Sequence, residues 1–193
     1  MLDNLNKYHI VLASNSPRRR ELLSGLGINF EVRVLPDIAE TYPDTLPAEQ
    51  IAQYIAREKA DAYRKLIKGD ELVITADTIV VSDGEIMGKP RDAADACRML
   101  RKLSGATHQV ITGVCLTTTG KQRLFAVTTH VTFKSLSDEE IRYYVDHYHP
   151  FDKAGAYGIQ EWIGYIGVTG LDGSYFNVMG LPVQRIYTEL LNF

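Results

Sequence analysis

The chain has 193 residues, of which 45% are hydrophobic and 23% charged, and a formal net charge of -3 at pH 7. That balance excludes a disordered chain and argues against a general nucleic-acid binder, since a mildly acidic surface repels a phosphate backbone. No apolar run reaches the roughly 18 residues of a membrane span, and the length suits a single domain built as one body or as two lobes sharing a sheet.

The first ten residues lack a basic stretch followed by a long apolar run, so no signal peptide is expected and the cytoplasm is the expected compartment. His9 to Ala13 is a short apolar run predicted as a buried strand. Ser14-Asn15-Ser16-Pro17 then turns the chain into a helix with Ser16 as N-cap and Pro17 at the first helical position. Leu22, Leu23 and Leu26 form its apolar stripe, and Gly27 is expected just past its end. Phe30 to Leu35 alternates as a strand, and Pro36 to Pro47 is a loop carrying several carboxylates.

A long helix is predicted from Ala48 to about Lys68, with Ile51, Ile55, Ala62 and Leu66 on one side and Gly69 ending it. Leu72 to Val81 is almost continuously β-branched, which suits a strand buried on both faces in a parallel or mixed sheet. Asp83-Gly84 follows as a turn. Asp92 caps a helix reaching about Leu103, with Gly105 beyond it. Val110–Thr117 and Leu124–Phe133 read as a hairpin around Thr119-Gly120. Ser137 to Glu140 is a capping box. Pro150 to Gly180 carries seven glycines and reads as a long loop, either a fixed wall or a mobile lid, and Leu181 to Leu190 closes the chain as a helix. Cys97 and Cys115 sit in apolar patterns and are expected as buried free thiols. The five histidines make no zinc pattern.

Four constellations can carry chemistry. Ser14 to Arg20 feeds a helix N-terminus, whose free N–H groups and dipole favour an anion. Three arginines in that first turn oppose the dipole, so two readings stand: a phosphate cradle, or a Ser-Pro helix start with solvated arginines. Asp77 lies inside the most apolar strand, where a carboxylate has to be paired, ligating or catalytic. Alternation puts Thr75, Asp77 and Ile79 on one face and Thr78 on the other. Lys59 on its own reads as a solvated helix lysine, whereas Lys89 in Gly88-Lys89-Pro90 has a restricted backbone. Asp152 to Gln160 combines close-approach glycines with an amide able to read a base edge.

Together these stretches resemble the Maf family of nucleoside triphosphate pyrophosphatases. The matching segments are Leu12 to Arg19 with Glu21-Leu-Leu23, Arg57 to Ala60, Ala76 to Val80, Gly88 to Asp92, Leu103 to Gly105 with Thr107 to Val110, and Asp152 to Gln160. The resemblance implies one Maf-like domain over residues 1–193. Its α/β fold would have two lobes on an elongated mixed β-sheet flanked by helices, similar to the inosine triphosphate pyrophosphatases, with the active site in a central cleft. It implies hydrolysis of dTTP and UTP to the monophosphate and diphosphate with a divalent cation, Mg²⁺ or Mn²⁺. A role in nucleotide sanitation and division arrest, and a homodimer, are implied as well. Carried over by position, Asp77 is the proton acceptor. Ser14, Arg18, Lys59 and Lys89 bind phosphate, and Glu40 joins Asp77 near the metal. Arg18, Thr78 and Gln160 match the dTTP/UTP subfamily. Asn15, often Gly in relatives, and Glu161-Trp162, often small residues, depart from the pattern. A non-catalytic, nucleotide-binding regulator of division is the alternative from another class.

Overall fold

The computed structural model describes residues 2–36 and 38–193; Asp37, one of the carboxylates of the predicted loop, lies outside them. In chain order the elements are β1 His9–Leu12, α1 Pro17–Ser24, β2 Glu31–Val32, α2 Ala48–Arg64, β3 Glu71–Ser82, β4 Glu85–Met87, α3 Ala93–Leu103, β5 Thr107–Thr117, β6 Gln122–Phe133, α4 Asp138–Tyr148, α5 Trp162–Gly167, β7 Val168–Asp172, α6 Tyr175–Met179 and α7 Val183–Leu191. The strands form one sheet in the order β2-β1-β3-β5-β6-β7, with β4 on β3. β1 runs parallel to β2 and β3, while β3–β4 and β6–β7 are antiparallel, so the sheet is mixed. The fold is α/β.

The chain divides into two compact units. The first takes Met1–Asp77, Thr112–Val127 and Gly180–Phe193; the second takes Thr78–Ile111 and Thr128–Met179.

In the first unit, β1 and β3 pair from His9↔Glu71 to Leu12↔Ile74. Their apolar side chains join α2 through a cluster of Val11, Tyr63 and Val73. Gly113 on β5 is the closest approach. A Cβ there would stand 2.3 Å from the carbonyl carbon and oxygen of Ala52, so the α2 backbone rests directly on the strand and only glycine fits. Thr75 adds a second fixing point, its buried hydroxyl donating to the Ala56 carbonyl at 2.7 Å.

The predicted strand Phe30–Leu35 is cut to two residues. Beyond Val32 the backbone turns instead to Tyr63, whose hydroxyl donates to Arg33 O and accepts from Leu35 N, both at 2.8 Å. Helix α2 ends at Arg64, short of the predicted Lys68. Its last turn tightens as Leu66 N and Ile67 N both bond to Tyr63 O, and Leu66 is left 52% exposed rather than on the apolar stripe. The buried face is Ile51, Ala52, Ile55, Ala56, Ala60 and Tyr63. Helix α1 likewise stops at Ser24, and Gly27 closes the tight turn after it at φ +68°.

The second unit is built on a core that includes Val80, Met87, Met99, Leu100, Leu103, Phe133, Tyr144 and Ile163. Its local signals act as read. Asp92 accepts from Asp95 N at the start of α3, and Ser137 and Glu140 make both bonds of the capping box on α4. Asp83 and Gly84 take positive φ in the turn from β3 to β4. The predicted Pro150–Gly180 loop is instead organised: it holds α5, edge strand β7 on β6, and α6. Gly164 and Gly167 interrupt the apolar stripe of α5, and five-residue elements leave too short a period to read. Cys97 and Cys115 are both free, and burial pushes the Cys115 thiol up to about 11.

Candidate active site

The first unit gathers the charged groups. The turn after β1 is held locally: Ser16 N donates to the buried Ser14 hydroxyl at 3.2 Å, and the Ser16 hydroxyl caps α1 by accepting from Arg19 N at 3.4 Å. The three arginines that follow, alike in sequence, differ in structure. Arg19 turns inward and donates from Nε to Gly180 O and from Nη1 to Ala76 O, both at 2.9 Å. Arg20 stays on the surface, with Nη2 on Asn15 Oδ1 at 3.2 Å. Arg18 is half-buried. Burial draws the Arg19 guanidinium below its ordinary value, Asp77 opposes that, Arg18 adds to it, and Glu40 opposes it again. Arg18, Arg19, Asp77 and Glu40 therefore share one electrostatic neighbourhood. Arg19 ties the turn to the backbone beside Asp77, a role the sequence pattern did not separate from its neighbours.

Asp77 is 8% exposed, as a carboxylate inside an apolar strand should be only if it is partnered. Its partner is Lys59, whose Nζ lies 2.8 Å from Asp77 Oδ1 and 2.7 Å from Glu40 Oε1. The solvated reading of Lys59 is thus overturned: its side chain is only 13% exposed. Placement follows from packing. Gly113 and Thr75 fix α2 against the sheet at Ala52 and Ala56, and Lys59 is one turn further along, on the same side as Ala56. Two carboxylates converging on one cation form a hard oxygen donor set of the kind that takes a divalent ion together with phosphate oxygens and water. Glu40 and Asp77 therefore fit such an ion. Among the described residues no group of three or more His, Cys, Asp or Glu side chains forms a metal site without substrate.

The second unit holds Thr78, Lys89 and Gln160. Thr78 is half-buried on β3 and Lys89 is exposed after β4. Gly155 N donates to Gly88 O at 3.1 Å, tying the glycine-rich segment to the residue before Lys89. At that point Gly155 and Ala156 both take left-handed φ, +67° and +58°, and a Cβ on Gly155 would meet Val80 Cγ2 at 2.9 Å. Consecutive left-handed residues, one of them a fully buried alanine, are strained backbone held by its surroundings. Tyr157 anchors the next step through its hydroxyl and His108 Nε2, 2.7 Å apart. Gln160 follows, and its Oε1 is buried with no hydrogen-bond partner among the described residues.

Comparison with known proteins places the chain in a family. A family model described as Maf-like protein matches residues 9–193. The chain belongs to the Maf-like family. A dTTP/UTP pyrophosphatase of Phocaeicola vulgatus is 70% identical over 190 residues, covering 98% of each chain. One from Bacteroides thetaiotaomicron is 61% identical over the same span and coverage. Among solved structures, a Staphylococcus aureus Ham1 protein is 17% identical, covers 65% of this chain and 71% of its own, and gives a TM-score of 0.46. A Mycobacterium abscessus nucleoside-triphosphatase, also described as a dITP/XTP pyrophosphatase, gives 0.43 at 17% identity, covering 94% of this chain and 93% of its own. Within the Maf-like chain, the structure brings Ser14, Arg18, Lys59, Glu40 and Asp77 into the first unit, and Thr78, Lys89 and Gln160 into the second.

Proposed function

We propose that this chain is a nucleoside triphosphate pyrophosphatase that hydrolyses dTTP and UTP to dTMP or UMP and diphosphate. The observation that carries the reading is the largely buried Asp77–Lys59 pair, joined by the exposed Glu40, beside an arginine-bearing helix start. The 70% and 61% identical relatives, both dTTP/UTP pyrophosphatases, support the substrate class. Family position assigns phosphate binding to Ser14, Arg18, Lys59 and Lys89.

Asp77 accepts the proton of the attacking water, and Lys59 and Arg18 stabilise the charge that builds on the phosphoryl oxygens. A divalent cation, Mg²⁺ or Mn²⁺, held by Glu40 and Asp77, supplies charge neutralisation on the triphosphate when bound. Gln160 and Thr78 read the base. An unpartnered Gln160 carbonyl supports this assignment, because thymine and uracil present an N–H donor between two carbonyls and leave that acceptor satisfied. A homodimer in the cytoplasm, acting in nucleotide sanitation, completes the proposal. No helix among the described residues is long and apolar enough to cross a membrane, and no nucleic-acid partner is invoked.

A panel of dTTP, UTP, CTP and 7-methyl-GTP, with products identified, tests the reading together with Asp77→Asn. The expected outcome is diphosphate release favouring dTTP and UTP, lowered by a factor on the order of a thousand in Asp77→Asn. Equal rates on 7-methyl-GTP would break the base preference, and an unimpaired Asp77→Asn would break the catalytic assignment.

A further inference from the structure

Next to Gln160 stands Glu161. It opens α5, yet its side chain makes no cap to that helix. The carboxylate is turned the other way. Oε1 lies 3.1 Å from Lys153 Nζ, and Oε2 accepts from the Tyr144 hydroxyl. Both partners are committed. Lys153 is 8% exposed and also pairs with Asp152 at 2.8 Å, and Tyr144 is fully buried on α4. The same Tyr144 oxygen accepts from Gly158 N at 3.0 Å. Glu161 N donates to Gly158 O at 3.0 Å. One phenol and one carboxylate thus close residues 153 to 161 into a clamped loop that includes Gln160.

Space makes the clamp specific. A Cβ on Gly158 would lie 2.9 Å from Gln160 Nε2 and 3.0 Å from Glu161 Cδ, so the Gln160 amide folds back over Gly158 and shares its space with the Glu161 carboxylate. The Gln160 amide and the Glu161 carboxylate thus border the same small space over Gly158. Burial, and then the hydrogen bond to Glu161, hold the Tyr144 phenol far above its ordinary value, so it stays a donor at all working pH.

We propose that Glu161, clamped by Tyr144 and Lys153, is a positioning residue for base selection: it aims the Gln160 amide rather than touching the nucleotide itself. This rests on the reading that Gln160 faces the base. An amide with an unpartnered carbonyl discriminates by presenting that acceptor at a fixed place, and an unclamped amide presents it only part of the time.

Tyr144→Phe and Glu161→Gln test the proposal; both conserve volume, and circular dichroism with Tm verifies folding. Isothermal titration with the non-hydrolysable α,β-imido analogue of UTP, and kcat/KM for UTP against GTP, are the readouts. Each variant is expected to weaken the analogue about tenfold, to raise KM for UTP more than it lowers kcat, and to shrink the UTP/GTP ratio by a similar factor. Because both substitutions open one clamp, the double variant should add little to either. A UTP/GTP ratio within about twofold of wild type overturns the proposal, as does an equal fall on both nucleotides, the mark of a merely structural role. If wild type itself shows no preference for UTP over GTP, the base-reading assignment of Gln160 fails first, and the clamp falls with it as a selection device.

Discussion

The two units hold their functional side chains by different means. In the first, charge fixes charge: Lys59 sits between Glu40 and Asp77, and Arg19 is nailed to two backbone carbonyls. The underlying elements are a parallel strand pair and a long helix, so the groups inherit the rigidity of regular structure. In the second, a segment of strained backbone is held by hydroxyls and a buried lysine, and the group left over is an amide. Asp77 stands on the sheet and Lys59 on the helix packed over it, whereas Gln160 stands on a clamped loop. The Asp77–Lys59 pair and the Gln160 amide thus rest on separate supports.

The sharpest way to break that contrast is at two crowded glycines, one in each unit. Gly113→Ala drives a Cβ into the Ala52 backbone, which cannot yield without moving α2 and Lys59. A loss of about 3 kcal/mol is expected, roughly 6–12 °C in Tm, with diphosphate release falling alongside. Gly155→Ala meets only the Val80 side chain but places alanine at left-handed φ, for about 1–2 kcal/mol. Thermal melts of the pair check the order; equal losses would erase the distinction between sheet and loop.

A second test is the response to acid. Burial pushes the His108 imidazole down to about 4, against about 6.5 for an unfolded chain. The neutral ring is the native form, so between those values the unfolded state binds more protons. Stability is then full above about pH 6.5, is lost as pH falls toward about 4, and levels off below. Urea titrations across that window should show His108→Gln losing up to about 1.4 kcal/mol per pH unit of the wild-type slope. An unchanged slope would mean that the Tyr157–His108 contact does not anchor the segment through a neutral ring.

The smallest expected effect separates the arginines. Arg20→Ala removes only an exposed contact with Asn15 and should change stability by under about 0.5 kcal/mol. Arg19→Lys gives up two backbone bonds at once and should cost about 1–3 kcal/mol, read by the same denaturation.

Much of this was legible in the chain. Ser16, Asp92 and Ser137 announce their helices because a side-chain cap is a local event, and the β-branched run around Asp77 marks a buried strand in the same way. What escaped depends on distant partners. Lys59 looks solvated until Gly113, far along the chain, lets α2 settle on the sheet. Arg19 is indistinguishable from Arg18 and Arg20 until Gly180 O and Ala76 O are in reach. Residues 150–180 lacked any readable period, since their elements are short and their order comes from contacts to α4, β3 and β6 rather than from pattern. The resemblance named the residues, and the structure supplied what each one leans on.

The Lys59 ammonium has one more consequence. A cation on a covalent stem cannot diffuse away, so its effective concentration beside Glu40 and Asp77 is set by the helix that carries it and not by the buffer. Screening by dissolved salt acts chiefly on exposed pairs, and the Lys59–Asp77 pair is largely withdrawn from solvent. The protein therefore carries its own counter-ion, and part of the charge compensation in this corner of the molecule is written into the chain rather than borrowed from the medium.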